Sequence, residues 1–289
     1  MTPRRERARD SGAVVTVTRA PAAVDVDPTR YARRRRAVGT VLAWGTPVLL
    51  ILLWQIAASS GWIDVRFFPA PATVWKAGVA AFGNGTMTSA AEATIAKLLI
   101  GYGIGVIAGV ALGLLLGLSW IARSSLEYTL IALYTLPKLA LFPAFLLIFG
   151  IGWTPQVVLV GVSVFFIIVL ATMTAVVSVE AGYRDAATVF GANRAQLLRH
   201  VILPAAMPAI GTAIRLTAGI GILVIVGIEM VSGSSGLGYL IFERAQVFDP
   251  ATMYAGVIVA GLIGVIFTAL VTLLLRCAIP QQRPRLRRR

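Results

Sequence analysis

The chain has 289 residues, of which 58% are hydrophobic and 13% are charged, and its mean hydropathy is +0.84. So little polar surface excludes a water-soluble globule and indicates a protein whose solvent is lipid. The net charge is +14, and residues 1–37 and 276–289 each carry +6 of it. Positive charge beside a first and a last span is typical of two cytoplasmic ends, and it argues against nucleic-acid binding by these tails.

In chain order, residues 1–37 are rich in Arg and Pro, have little to bury, and are predicted to be a disordered cytoplasmic tail. The first transmembrane helix is predicted at 38–58, and its apolar run is too long for a cleaved signal peptide. Residues 59–93 are predicted to be an outer segment with headgroup-level aromatic residues. A membrane core at 94–276 and a basic cytoplasmic tail at 277–289 follow. The further spans are predicted at 98–118, about 130–150, 156–178, about 209–230 and 254–275.

The second span carries glycine at every fourth position. Residues at i and i+4 share one face of a helix, so this spacing predicts a flat ridge against which another helix packs closely. A loose dinucleotide-binding pattern in the same stretch lacks the preceding strand that such a site needs. The predicted packing glycines are Gly101, Gly105, Gly109, Gly113 and Gly117.

The inner loop at 180–208 is predicted to fold as a helix, a turn and a second helix. Before Gly191, apolar residues recur at helical spacing, and a second apolar face follows it. Gly191 lies at the break, where a turn favours a residue without a Cβ. Pro204 and Pro208 are expected to end the second helix before the fifth span begins. An amphipathic connector lying on the bilayer surface is the alternative for this loop.

The outer end of the fifth span supplies candidate residues of a substrate pathway, Glu229 and Ser232. A carboxylate near the membrane is expensive unless it is paired or in contact with water, which makes Glu229 a functional candidate. The alternative is a residue that already lies at the interface and contacts water.

Enzymatic chemistry has no support in this sequence. A single His and a single Cys provide neither a metal ligand set nor a catalytic triad. No lysine follows the glycine pattern of a phosphate-binding loop, so the chain is not predicted to hydrolyse ATP. We therefore expect no catalytic residue, no metal and no cofactor in this chain.

The 180–208 loop resembles the EAA loop of ABC importer permeases, the binding-protein-dependent inner-membrane component family. The departures from that motif are Asp185 in place of Glu and Val201 in place of Ile. The residues that occupy the motif positions, these two included, are Asp185, Ala186, Ala187, Gly191, Val201, Leu203 and Pro204. Softer similarity at 66–75, 136–152 and 228–241 is to permeases for nitrate, aliphatic sulfonates and taurine, although permeases for thiamine precursors share much of this pattern.

The resemblance implies an all-α membrane protein, the type I importer transmembrane domain, with six transmembrane helices and a loop that docks on an ATPase. It implies a plasma-membrane permease that forms the translocation pathway. The implied partners are ABC ATPase subunits, an extracytoplasmic solute-binding protein and a second permease copy, with which the chain is expected to form a homodimer. An ion-gradient-driven transporter and a membrane scaffold without transport are the alternatives, and the former should show ionisable relays at mid-membrane.

Overall fold

The computed structural model describes residues 28–232 and 234–278, and these residues are almost entirely helical. The helices are α1 Pro28–Ser59, α2 Pro71–Gly83, α3 Thr86–Leu118, α4 Trp120–Thr135, α5 Phe142–Phe149, α6 Trp153–Val177, α7 Ala181–Val189, α8 Arg194–Leu197, α9 Leu203–Ser232, α10 Leu237–Gln246 and α11 Pro250–Ala278. A 3-10 turn, Lys138–Leu141, precedes α5, and a π-helical turn, Leu198–Ile202, joins α8 to α9.

The first helix, α1, is longer than the predicted span. It begins at Pro28, the first residue that the structure describes. Residues 28–37, which we predicted to be disordered, are therefore helical. Proline is favoured at the first helical position, and the Ala and Arg residues that follow are good helix formers. Residues 1–27 of the predicted tail, and 279–289 of the last tail, lie outside the described residues. Of the described residues, 28–57 form one unit, and those from Ala58 onward form a second.

Among the residues that the structure describes, five helices are long and apolar enough to cross a membrane, and a bent pair gives up to six spans. The bent pair is Trp120–Thr135 with Lys138–Phe149, and it replaces the predicted span at 130–150. Its two halves meet at an angle of 85°. Pro137 accounts for the break, because the residue before a proline is pushed out of the helical region and Leu136 is extended.

The predicted outer segment at 59–93 also contains helix, because it includes α2 and the start of α3. A second short helix, α10, follows α9. Both short helices lie at the end of the bundle where α3, α6 and α11 begin. We call this the far end, and we call the opposite end, which carries α7, the loop end.

The tightest helix pair is α3 with α6, and the glycines of α3 face α6. A Cβ at Gly101 would lie 2.7 Å from the Val157 carbonyl oxygen, and one at Gly109 would lie 2.8 Å from the Cβ of Ile168. Gly105, Gly113 and Gly117 are equally close to α6 atoms. The two backbones therefore approach to a distance that only glycine permits.

The main apolar core lies between α3, α6, α9 and α11. Tyr102 belongs to this core, and its ring packs edge-on against that of Phe267, with 5.0 Å between the ring centroids. The Tyr102 hydroxyl donates to the Ile214 carbonyl, so the one polar atom of this ring is satisfied. Around the bundle, large aliphatic side chains such as Ile107, Leu223 and Val265 are exposed, as expected of surfaces that face lipid or a second subunit.

Candidate functional site

The 180–208 segment folds as a helix, a left-handed turn and a second helix. The first helix, α7, ends at Val189, and Gly191 follows at φ +80°, a backbone conformation that favours glycine. Asn193 then begins the second helix with a reciprocal cap, because its side chain accepts from the amide of Gln196 and the Gln196 side chain accepts from the Asn193 amide. The direction of the chain at this turn is therefore fixed from both sides.

The second helix does not end at the prolines, and the prediction that it would is wrong. Helix runs without interruption from Arg194 to Ser232, so the second helix of the loop is also the fifth span. Pro208 lies inside α9, and the π-helical turn Leu198–Ile202 comes immediately before Pro204. A π turn shifts the hydrogen-bond register by one residue, which lets the helix pass a proline that has no N–H to donate.

The two apolar faces of the loop have different surroundings. On the second helix, Leu197 and Leu198 pack against a cluster that includes Val176 and Ile202 at the loop end. On α7 no residue is buried, and Tyr183 and Phe190 are 63% and 90% exposed. The exposed apolar face of α7 therefore has no partner within the part of the chain that the structure describes.

The motif residues divide in the same way. Asp185, Ala186 and Gly191 are exposed, and Ala187 is half-buried on α7. The other three residues, Val201, Leu203 and Pro204, are half-buried where the π turn meets α9. One anchor holds α7 in place, since the Arg184 guanidinium donates to the Val176 carbonyl at 2.6 Å.

At the far end, a buried polar network joins α3, α6 and α9. The Lys97 ammonium donates to Glu229 Oε1 at 2.8 Å, to Gln156 Oε1 at 2.7 Å and to the Ser235 carbonyl at 2.8 Å. Lys97 and Glu229 are both completely buried. Each donor of the ammonium therefore has a partner, which a buried charge requires.

Glu229 is held equally well from its other side. Its Oε2 accepts from the Thr94 hydroxyl at 2.8 Å and from the Gly238 amide at 3.0 Å. Gly238 lies in the first turn of α10, where unpaired amides and the helix dipole favour a negative charge. Thr94 in turn accepts from the Leu237 amide at 2.8 Å. Of the two alternatives for Glu229, the structure shows a paired carboxylate and not a residue in contact with water.

Two glycines make this approach possible. Gly236 has φ +109°, and a Cβ on it would collide with the Glu229 carboxylate. A Cβ on Gly238 would collide with the Val226 carbonyl. The loop between α9 and α10 is therefore shaped around the carboxylate, with a further tie from the Gln156 amide to the Ser234 hydroxyl at 2.9 Å.

Sequence reasoning missed Lys97, Thr94 and Gln156. The partner of Lys97 is Glu229, which lies 132 residues away in the sequence. The available signal was a lysine inside a lipid-length apolar helix, which needs a counter-charge. Ser232, the other pathway candidate, is half-buried and donates to the Glu229 carbonyl at 3.2 Å.

Outside the spans, Arg66 and Asp64 form an exposed ion pair at 2.8 Å. The hydrogen bond from the Arg66 side chain, assisted by the Arg66 amide, holds the pKa of the Asp64 carboxyl below its ordinary value. Both groups face water, so the pair adds little to stability. It nevertheless balances the charge of this outer segment.

The comparisons of this chain with known proteins agree with one another. Residues 101–287 match the family model described as "Binding-protein-dependent transport system inner membrane component". The chain is 29% identical over 242 residues to a putative aliphatic sulfonates transport permease protein of Bacillus subtilis, covering 84% of this chain and 88% of that one. It is 30% identical over 228 residues to a taurine transport system permease protein of Escherichia coli, covering 77% and 82%.

The fold agrees with this result. A subunit of the MetNI methionine ABC transporter, solved in inward-facing conformations, superposes with a TM-score of 0.55 at 19% identity, over 64% of this chain and 92% of that chain. At that identity the likeness concerns the fold alone. The family match covers well over half of the chain and includes the loop, the π turn, Gln156 and Glu229, whereas Thr94 and Lys97 precede its first residue. The chain therefore belongs to the family of binding-protein-dependent transport system inner membrane components, and it is the permease subunit of an ABC importer in the inner membrane.

Proposed function

We propose that this permease imports a small sulfonate-, taurine- or nitrate-like solute and that the 180–208 loop receives the ATPase. The observation that carries the second part is the exposed apolar face of α7. An apolar face that projects beyond the bundle while the adjoining helix packs its own face against α6 is a surface for a partner. The family to which the chain belongs assembles with such ATPases, which supports the choice of partner.

Within the loop, the motif residues have three proposed tasks. Asp185, Ala186 and Ala187 present the α7 surface to the ATPase, and small side chains there allow close contact. Gly191 sets the angle between α7 and the long helix. Val201, Leu203 and Pro204 join the loop to α9, so that movement of the docked loop reaches the span. ATP itself is used by the partner, and no cofactor is proposed for this chain.

The proposed orientation places the loop end in the cytoplasm and the far end outside. An ATPase is cytoplasmic, and the strongly basic terminal segments belong on the same side by the positive-inside rule. A binding protein would then deliver solute to the far end, where α2 and α10 lie. A reporter that is active only outside the membrane should be active after Asn84 and silent after Arg289. The opposite pair of results would overturn this orientation.

The pathway is proposed to lie between two copies of the chain, whose exposed aliphatic faces would pack together. In this arrangement Ser232, half-buried on the last turn of α9, is placed to meet solute at the far mouth. Glu229 is completely buried, so its proposed part is to hold that mouth together through Lys97.

The test is reconstitution of the permease with its ATPase and binding protein in proteoliposomes. Uptake of taurine, ethanesulfonate or nitrate should require ATP. Uptake without ATP but with an ion gradient would support a secondary transporter, and uptake of a thiamine precursor alone would change the substrate class.

A single-residue test addresses the docking surface. Phe190→Ser should prevent copurification of the ATPase, because it removes the most exposed apolar side chain of the loop. Phe248→Ser is the matched control, since Phe248 is 83% exposed but lies at the far end. Equal recovery of the ATPase with both variants would show that α7 is not the docking surface and would favour a connector lying on the bilayer.

A further inference from the structure

We propose that Lys138 forms an anion-binding site at mid-membrane in the translocation pathway, an inference that rests on the proposed import of a small anionic solute. Lys138 lies at the break between α4 and α5, where the 3-10 turn begins. Its side chain lines a cavity of about 540 Å³ whose other walls come from α6 and α9. This cavity is separate from the Lys97–Glu229 network at the far end.

The depth of the cavity follows from its walls. Ser163 is ten residues after Trp153, the first residue of α6, so it lies about 15 Å along that helix. Leu223 is nine residues before the far end of α9, or about 14 Å from it. About half of a hydrocarbon core of roughly 30 Å therefore separates Lys138 from the far surface. A headgroup phosphate does not reach this depth, which leaves a solute as the source of the anion.

The charge of Lys138 has no counter-charge among the residues that the structure describes. Its ammonium donates to the Tyr134 carbonyl and lies 4.6 Å from the Tyr134 ring centroid and 5.6 Å from that of Phe166. Within 28–232 and 234–278, no carboxylate lies within the 4.0 Å of an ion pair. An ammonium has three donors, and one is used here. Two donors are therefore left for a ligand, between aromatic rings that stabilise a cation.

The contrast with Lys97 shows why this matters. Lys97 is buried, saturated with acceptors and neutralised by Glu229, so it has no capacity for a solute. Lys138 is half-buried and faces open space. Ionisable residues at mid-membrane are expensive and are kept where they serve a pathway. A small monoanion such as a sulfonate or nitrate would supply the missing charge and accept the two remaining hydrogen bonds.

A larger cavity, of about 820 Å³, does not compete for this role. It is a groove between α9 and α11 lined mainly by glycine and aliphatic side chains, and its single cation is Arg276. Arg276 lies in the last turn of α11, at the loop end. That groove therefore places no charge at mid-membrane.

Two substitutions separate charge from structure. Lys138→Gln keeps a donor for the Tyr134 carbonyl but removes the charge, and Lys138→Arg keeps both. In proteoliposomes with the ATPase and binding protein, Lys138→Gln should lower the ATP-driven uptake of ethanesulfonate and nitrate by about 10- to 100-fold, the size of a lost charged hydrogen bond. Lys138→Arg should retain most of it. Arg33→Gln, which removes an exposed cation of α1 that lies outside the proposed site and the far end, is the control and should transport normally.

Chemical rescue provides the second measurement. In a Cys277→Ser background, which removes the chain's only cysteine, Lys138→Cys is treated with a methanethiosulfonate that attaches either an aminoethyl or a sulfonatoethyl group. The aminoethyl group restores an ammonium and should restore uptake, whereas the sulfonatoethyl group should not.

The outcomes also distinguish this inference from the proposed function. If the wild-type complex imports none of the anions, the proposed substrate class is wrong and the anion site falls with it. If the wild type imports them and Lys138→Gln does so equally well, the proposed function stands and the site is overturned. Rescue by both reagents alike would also overturn it, because the sign of the charge would not matter.

Discussion

The Lys97 ammonium on α3 lies 2.8 Å from the Glu229 carboxylate on α9, and neither side chain is exposed. Burying two charges is expensive, and their attraction offsets that expense only when every remaining donor and acceptor is also satisfied. Here Gln156, Thr94, Ser235 and the Gly238 amide satisfy them. The far end is therefore organised around one ion pair.

Removing one partner of this pair should destabilise the protein strongly. Glu229→Gln leaves a buried ammonium uncompensated, and we expect a loss of about 3–5 kcal/mol in the free energy of unfolding. Thermal unfolding of the purified permease in detergent measures it. Glu92→Gln, an exposed change on α3, the helix that carries Lys97, should stay within about 0.5 kcal/mol of wild type. The double variant Lys97→Met with Glu229→Gln should be more stable than Glu229→Gln alone; a further loss in the double variant would contradict the pairing.

The glycine beside this carboxylate offers a second test. Gly236→Ala introduces both a left-handed backbone strain of about 1–2 kcal/mol and a Cβ that collides with Glu229. Gly61→Ala imposes the same kind of strain, since Gly61 has φ +77°, but its Cβ would enter open space. Gly236→Ala should therefore lower the unfolding temperature more than Gly61→Ala. Equal shifts would mean that the loop adapts without disturbing the carboxylate.

The glycine ridge of α3 gives the third prediction. Gly109→Leu places a side chain where Ile168 already lies, and the separation of the helices should cost about 1–3 kcal/mol. Gly103→Leu, on the same helix with nothing within 4 Å, is the control. Both variants should insert normally because leucine is at home in lipid. Thermal stability in detergent and uptake should fall for Gly109→Leu alone, and a normal Gly109→Leu protein would show that this face does not need close packing.

The turn before the long helix gives the fourth prediction. Gly191→Pro cannot keep φ +80°, and it removes an amide that donates to the Thr188 carbonyl at 2.9 Å. We expect a chain that inserts normally but neither copurifies with its ATPase nor imports solute. Gly182→Ala, within α7 and without contacts at the added Cβ, should behave as wild type. Normal ATPase stimulation in Gly191→Pro would mean that the turn does not couple the two subunits.

Features carried by local patterns could be predicted from the sequence. Lipid-length apolar runs predicted five of the spans, helical spacing predicted the faces of the 180–208 loop, and the position of Gly191 predicted its turn. These depend on residues within a turn or two of each other. The glycine spacing on α3 similarly indicated a packing face, although not the helix that packs on it.

Features that depend on distant contacts could not be predicted. The pairing of Lys97 with Glu229 joins residues 132 positions apart, and the sequence around either residue does not indicate which residue is its partner. The break at Pro137 and the continuity through Pro208 show the same difficulty, because both prolines follow apolar helical sequence. Ala206 and Ile210 are buried on either side of Pro208, whereas Leu136 and Pro137 are exposed.

The unbroken helix from Arg194 to Ser232 connects the loop end of the permease rigidly to its far end. Its 39 residues extend about 58 Å, with the capped turn at one end and Glu229 near the other. A tilt of about 10° around the midpoint of such a rod displaces each end by about 5 Å, which is more than a hydrogen bond can stretch. If the helix tilts when force is applied at the turn, α3 and α10 must therefore move together with Glu229 at the opposite end, so that their hydrogen bonds to it are kept.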